Sequence, residues 1–199
     1  MAGVTDLRHF IRTYDNAIAP ALCARIVALF EGAPQHQRGP RGRQVGERDP
    51  RGQFNWVQLN TVDSPAFGEI DAHIVQQVNG LVRSYAADTG YQLFPYGFED
   101  FLIKRYRASD EEQFPPHVDV SNANTMHRML AVLLYLNDVP LGGETYFGRL
   151  DVRVAPKAGR LLLFPPVWLY PHAGLPPQRG EKYILGTYLT YVDPRAIAR

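Results

Sequence analysis

Phe114-Pro115-Pro116-His117-Val118-Asp119 carries an imidazole and a carboxylate two positions apart. On an extended strand both side chains project from the same face. A ring nitrogen and a carboxylate oxygen aimed at one point can hold two corners of an octahedral metal. A second imidazole from a distant strand would complete a facial set of three donors and leave three cis positions open. His-x-Asp is also a pattern that chance produces readily in a chain with six histidines, so the rest of the chain decides its meaning.

His9, His36 and His73 fall in lead-in, loop and helical segments, and His127 sits in the polar stretch Ser121–His127 as a surface or substrate-side residue. His172 follows the apolar run Leu161–Leu169 and opens a C-terminal hairpin, which makes it the natural third ligand. Ten residues on stands Lys182, one of three lysines in the chain. The turn Leu175–Gly180 is expected to bring it beside the strand of His172. Two His and one carboxylate suit Fe(II). 2-Oxoglutarate would chelate two of the open positions and O2 would take the last. The distal carboxylate of 2-oxoglutarate would then lie away from water and need a cation, which Lys182 would supply.

The elements that must position these residues fall into two halves. Pro20 suits a first helical position, and Leu22, Ile26, Leu29 and Phe30 recur at helical spacing, so a helix is expected over about residues 20–31. Ser64-Pro65 reads as a hydroxyl cap with Pro at the first helical position. Ile70, Ile74, Val78, Leu81 and Tyr85 mark one face of a second helix ending near Gly90. Phe10-Ile11 and Tyr14 are possible strand residues, and Gln53–Asn60 is a plausible strand. Between them, Arg38, Arg41, Arg43, Arg48 and Arg51 crowd a Pro- and Gly-rich loop that is either a solvated connection or a basic flap over a site entrance.

From about residue 91 the pattern becomes that of short strands: Leu93-Phe94, Phe101–Arg107, Phe114–Val120, Met129–Leu136, Thr145–Phe147, Val152–Ala155, Leu161–Phe164 and Tyr183–Tyr191. Ala108–Asp110, Asn137-Asp138, Gly142-Gly143, Pro156–Gly159 and Pro176-Pro177 supply the turns. Leu130–Leu136 is apolar almost throughout, as in a strand covered on both faces. The fold class is therefore mainly β with supporting helices, a β-sandwich or jelly roll braced on one wall by two helices. We expect one domain over 1–199, with 1–90 as helical support and 91–199 as the jelly-roll core.

Residues Ile103 to Tyr191 resemble the catalytic domain of the prolyl 4-hydroxylase-like Fe(II)/2-oxoglutarate dioxygenases. The resemblance runs through Lys104-Arg105-Tyr106, His117-Val118-Asp119, Tyr135-Leu136-Asn137-Asp138 and Gly142-Gly143-Glu144-Thr145 with Phe147. It continues through Pro156, Gly159, Phe164, His172, Gly180 and Lys182-Tyr183. It implies a double-stranded β-helix in which His117, Asp119 and His172 bind Fe(II) and Lys182 pairs with the 5-carboxylate of 2-oxoglutarate. Tyr106 would line the cosubstrate pocket. Thr145 would be a further cosubstrate contact or a packed strand hydroxyl. Tyr188 stands where relatives often carry Trp, and with Trp56 and Arg128 it is a substrate-side candidate. Ascorbate is a candidate reductant. Asp119 as a ligand favours hydroxylation over halogenation. Two departures flank the entrance: Asp110-Glu111-Glu112 replaces a glycine-rich turn, and Leu169–Pro171 is bulky.

The implied activity is hydroxylation of an unactivated C–H bond, with 2-oxoglutarate converted to succinate and CO2. The leading substrate is a prolyl residue of a peptide or protein; a free amino acid or a natural-product intermediate is the alternative. A cupin-type metal enzyme that does not use 2-oxoglutarate and a non-catalytic jelly-roll binding module are the readings from other classes. A net charge of +1 gives no cause to expect nucleic acid or an anionic membrane. Cys23 as the single cysteine excludes an intramolecular disulfide. With no basic leader or long apolar run, a cytoplasmic location is the expectation.

Overall fold

In a computed structural model, residues 5–40, 43–47 and 56–192 are described. Two helices, α1 (Pro20–Glu31) and α2 (Gly68–Thr89), precede most of the strands. α1 buries Cys23, Ile26 and Phe30, and α2 buries Ile70, Ile74, Val78, Val82 and Tyr85, so each packs one apolar stripe. Gly90 ends α2 at φ 72°, a left-handed conformation that glycine adopts without steric cost.

The strands are β1 (Arg12–Tyr14), β2 (Val57–Asn60), β3 (Tyr96–Phe98), β4 (Leu102–Arg107), β5 (Phe114–His117), β6 (Arg128–Tyr135) and β7 (Leu141–Gly142). They continue as β8 (Thr145–Phe147), β9 (Val152–Val154), β10 (Leu161–Phe164), β11 (His172–Gly174), β12 (Pro177–Arg179) and β13 (Glu181–Tyr191). The major sheet runs β1-β10-β6-β13-β4-β2, with β3 also on β13, and the minor sheet runs β5-β11-β8-β9. All pairings are antiparallel. The expected jelly roll is the fold observed.

Strand alternation separates two cores. Leu130, Val132 and Leu134 of β6, Leu161 and Leu163 of β10, and Leu185 and Leu189 of β13 face the helices. Ala131 and Tyr135, Leu162 and Phe164, and Ile184 point the other way, toward the minor sheet. β6 is buried almost throughout because both its faces are covered, as its unbroken apolar run implied. Burying one such Leu or Ile stabilises the fold by roughly 1.5–3 kcal/mol.

Several expectations are corrected. Leu93-Phe94 is not strand; the pairing begins at Tyr96, against Tyr191. Ser64 makes no side-chain cap, because Pro65–Phe67 form a separate 3-10 turn before α2 begins at Gly68. Phe10 closes a 3-10 turn, Leu7–Phe10, ahead of β1. The supposed turns at Gly142 and Pro176-Pro177 contribute instead to the pair β7–β12. Gly142 sits there at φ 76°, where an added Cβ would stand 2.7 Å from the Pro176 carbonyl oxygen, so only glycine lets the two chains close. Arg41, Arg48, Arg51 and residues 53–55 lie outside the described residues, so the flap and the start of the 53–60 strand are not followed further; Arg38 bridges to Gln58 at the edge of β2. No helix among the described residues is long and apolar enough to cross a membrane.

Candidate metal centre and its cavity

His117 ends β5 and His172 begins β11, and the two are direct partners in the antiparallel register. Adjacent strands therefore bring their rings to a centroid separation of 4.3 Å. Asp119 lies past the end of β5, so the shared face is not made by a continuous strand as the spacing suggested. Its backbone N–H donates to the Pro166 carbonyl at 3.2 Å, and the Arg128 guanidinium donates to the Asp119 carbonyl at 3.2 Å. Those two bonds turn the carboxylate back toward the histidines. One ligand atom from each of His117, Asp119 and His172 lies within 4.8 Å of the others, and this is the one such group among the described residues.

The hydrogen bonds around the cluster decide which nitrogens face inward. Nδ1 of His117 lies 2.9 Å from the Pro115 carbonyl and Nδ1 of His172 lies 3.2 Å from the Tyr170 carbonyl. A carbonyl only accepts, so in the neutral rings Nδ1 holds the proton and Nε2 presents a lone pair. Those lone pairs face Asp119, with His117 Nε2 3.2 Å from Oδ1 and His172 Nε2 3.7 Å from Oδ2. Burial holds His172 neutral, its pKa pushed down to about 4 with the His117 ring adding to the effect. For Asp119 burial acts upward, while a proton or positive charge at the His117 and His172 rings and the Tyr188 hydrogen bond act downward and hold the carboxyl at about 2; with both rings neutral, a bound cation would supply that charge. Its Oδ2 is buried without a hydrogen-bond partner. Three acceptors thus converge with no proton between them, a grouping that a cation reconciles.

The cluster opens on a cavity whose far end holds Tyr106, Thr145, Gly174 and Lys182. Lys182 is 1% exposed. It comes from β13 of the major sheet, and β12 separates it from β11 in sequence. It is therefore not on a strand paired with that of His172, as the hairpin reading had it; it reaches across between the sheets. Its Nζ donates to the carbonyls of Gly143 at 3.0 Å and Leu175 at 3.3 Å, and stands 4.4 Å from the centre of the Tyr106 ring. Burial pushes its pKa down to about 7; Glu144 opposes the shift and Lys104 adds to it. Gly174 adjoins that ammonium: an added Cβ there would lie 3.5 Å from Nζ, in van der Waals contact. Thr145 accepts from Tyr135 Oη at 2.6 Å and lines the same end. It is both a packed strand hydroxyl and a cavity residue.

The substrate-side candidates separate. Tyr188 lines the cavity and donates to Asp119 Oδ1 at 2.7 Å, so it orients the carboxylate as well as forming a wall. Arg128 is held by Glu99, with Nη2 2.7 Å from Oε2, and lies 3.8 Å over the Tyr188 ring. It supports Tyr188 and Asp119 from behind instead of lining the cavity. Trp56 is buried and stacks on Phe114 with ring centres 4.4 Å apart, one layer back from the cavity. Of the acidic turn, Glu112 is buried and accepts from the Arg107 N–H at 2.7 Å, which makes it a structural group. The sequence reading missed Lys104 as a cavity residue. Its signal was present: Lys104 and Tyr106 alternate on one strand and must share a face.

A double-stranded β-helix with two His and one Asp gathered at one end of its cavity defines a class of metal-dependent oxygenase folds. Residues 101–190 match the family model of the 2OG-Fe(II) oxygenase superfamily, whose members use Fe(II), 2-oxoglutarate and O2. The likeness to this family thus lies in just under half of the chain, the part that carries the cluster and its cavity. The chain is 33% identical over 139 residues to the multifunctional procollagen lysine hydroxylase and glycosyltransferase LH3 of Rattus norvegicus, covering 63% of this chain and 17% of that protein. It thus spans about a sixth of that relative. Among solved structures, the viral collagen prolyl hydroxylase of Paramecium bursaria Chlorella virus-1, in its 2-oxoglutarate complex, superposes with a TM-score of 0.66 at 20% identity, over 92% of this chain and 97% of that one. A prolyl hydroxylase of Trichoplax adhaerens in complex with a hypoxia-inducible-factor peptide gives 0.67 at 17% identity, over 96% and 88%. At these identities the likeness is one of fold.

Proposed function

We propose that this protein is an Fe(II)- and 2-oxoglutarate-dependent hydroxylase in which His117, Asp119 and His172 hold the iron and Lys182 pairs with the distal carboxylate of 2-oxoglutarate. The observation that carries this is the convergence of two imidazole lone pairs and a carboxylate that is buried on Oδ2 without a donor. Lys182 at the opposite end of the same cavity fits the second half, because its ammonium is buried with two carbonyls and the Tyr106 ring but no carboxylate in hydrogen-bond contact among the described residues. When bound, iron and 2-oxoglutarate supply the oxidising power from O2 that breaks an unactivated C–H bond, with succinate and CO2 as coproducts.

The chain's own residues do the rest. The Pro115 and Tyr170 carbonyls hold the imidazoles in the tautomer that presents Nε2 to the metal. Tyr188 fixes the Asp119 carboxylate through Oδ1 and leaves Oδ2 for the ion. Tyr106, Thr145 and Gly174 line the cosubstrate end. Leu133, Ile184 and Phe114 surround the cavity with apolar surface that excludes water from the reacting groups.

The leading substrate is a prolyl residue of a peptide or protein. The related structures support it, one a collagen prolyl hydroxylase and one a prolyl hydroxylase in complex with a peptide fragment. A single buried free thiol, Cys23, suits a reducing compartment such as the cytoplasm. Anaerobic titration with Fe(II) and 2-oxoglutarate tests the assignment. A weak visible charge-transfer band is expected in the wild type and absent in His117→Ala and Asp119→Ala; a band that survives in both variants overturns the ligand set. Unchanged 2-oxoglutarate affinity in Lys182→Ala would favour a cupin-type enzyme that does not use it.

A further inference from the structure

Lys104 brings a second ammonium to the cavity. It lies on β4, opposite Ile184 of β13, one inward-facing step from the Tyr106–Lys182 pair. Its side chain lines the cavity together with His117, Asp119 and Tyr188. Nζ sits 4.9 Å from the centre of the Phe114 ring and 5.6 Å from that of Trp56, and those two rings stack on each other. The aromatic pair holds the ammonium by cation–π attraction and fixes where it points. Lys182 donates to two carbonyls; Lys104 has no hydrogen bond or ion pair among the described residues.

Charge balance gives this arrangement a chemical meaning. In the loaded site Fe(II) and the 2-oxoglutarate dianion cancel, the imidazoles are neutral, and Asp119 offsets one of the two ammonium groups. One positive charge is left. Leaving it unpaired in a partly buried, largely apolar cavity is costly, and an anion delivered with the substrate removes that cost. Lys182 already has the cosubstrate's distal carboxylate, so the unpartnered cation is the one nearer the iron.

We propose that Lys104 selects the substrate by pairing with a carboxylate on it. The preferred substrate is then an acid, either a free amino acid or a peptide that presents an acidic or C-terminal carboxylate beside the carbon attacked. This deepens the hydroxylase reading above and rests on it.

The test loads wild type, Lys104→Met and Lys104→Arg with Mn(II) and N-oxalylglycine, a pair that cannot turn over. Calorimetry then measures binding of free L-amino acids against their carboxamides, and of acetyl-prolyl-aspartate amide against its asparagine counterpart. Methionine keeps the stem of the lysine and removes a half-buried charge, so the fold is expected to persist. In the wild type the best acid should bind at least about tenfold more tightly than its neutral partner, about 1.4 kcal/mol. In Lys104→Met that ratio should fall to about one through weaker acid binding, and Lys104→Arg should retain most of it. Preference among free amino acids or among peptides identifies the source of the carboxylate. Equal binding of acids and amides by the wild type, absence of acid binding, or a ratio unchanged in Lys104→Met overturns the proposal. Failure of the wild type to take up Mn(II) and N-oxalylglycine, which is read before any acid is added, sinks the hydroxylase reading itself.

Discussion

The two faces of the major sheet use the same strands for opposite ends. On the helix side β4, β6 and β13 present Ile103, Leu130, Val132, Leu134, Leu185 and Leu189, all buried against α1 and α2. Arg105, a buried charge on that side, is paired with Glu31 at 2.9 Å. On the cavity side the same strands present Lys104, Tyr106, Leu133, Lys182 and Tyr188. A two-residue step along β13, from Lys182 to Ile184, exchanges a buried cation for an aliphatic side chain on that face. The helix face is largely apolar and its buried Arg105 is ion-paired, although Arg105 Nε and Asp71 Oδ1 lack hydrogen-bond partners, whereas the cavity face gathers a partnerless carboxylate oxygen and two ammonium groups. The first stabilises the fold; the second is completed by what binds to it.

Substitutions that separate the faces test this contrast. The largest effect is expected from Lys182→Met on the cavity side. Truncating one partner of a buried charge pair costs roughly 2–5 kcal/mol, so 2-oxoglutarate affinity should fall by at least about 30-fold in a calorimetric titration, with the metal site intact. Leu185→Ala on the helix side should lower unfolding stability by about 2–5 kcal/mol in a urea melt and leave metal and 2-oxoglutarate binding unchanged once folded. If Leu185→Ala weakened ligand binding as much as stability, the faces would not be independent. Tyr188→Phe should act between them. It removes the hydroxyl that fixes Asp119 Oδ1 and should weaken metal binding by about 10–100-fold with little change in stability.

The sequence exposed these faces unequally. Alternation made β6, β10 and β13 legible, because period-2 burial on two sides leaves an unbroken apolar run. The cluster of His117, Asp119 and His172 was legible because such residue types are rare in such strands. What stayed hidden was carried by backbone, not side chains. Asp119 is aimed by its N–H on the Pro166 carbonyl, and β7 and β12 pair through Gly142 and Pro177, residues that read as turn formers. Trp56 stands behind Phe114 and off the lining of the cluster's cavity, a burial that its size alone does not reveal in the sequence. The pairing of Arg128 with Glu99 likewise depends on a contact 29 residues away. Lys104 was overlooked although β4 alternation placed it beside Tyr106, because a lysine ordinarily marks solvent.

The sharpest probe of the cavity face is pH. Burial lowers the pKa of Lys182 from its ordinary value to about 7 in the free protein, so the folded state holds fewer protons than the unfolded chain between about 7 and 10.5. A group depressed in this way makes stability rise with pH across that window, and the gain is absent below about 7. The wild type should therefore gain stability relative to Lys182→Met as pH goes from 7 to 9. Binding should move in the opposite direction. 2-Oxoglutarate takes the protonated ammonium, so its dissociation constant should rise above pH 7, by up to about tenfold per unit, and flatten where Lys182 in the complex also deprotonates. Opposed slopes for folding and binding, both lost in Lys182→Met, would tie the two effects to one buried ammonium. A binding profile that stays flat from pH 6 to 9 would show that another group holds the carboxylate.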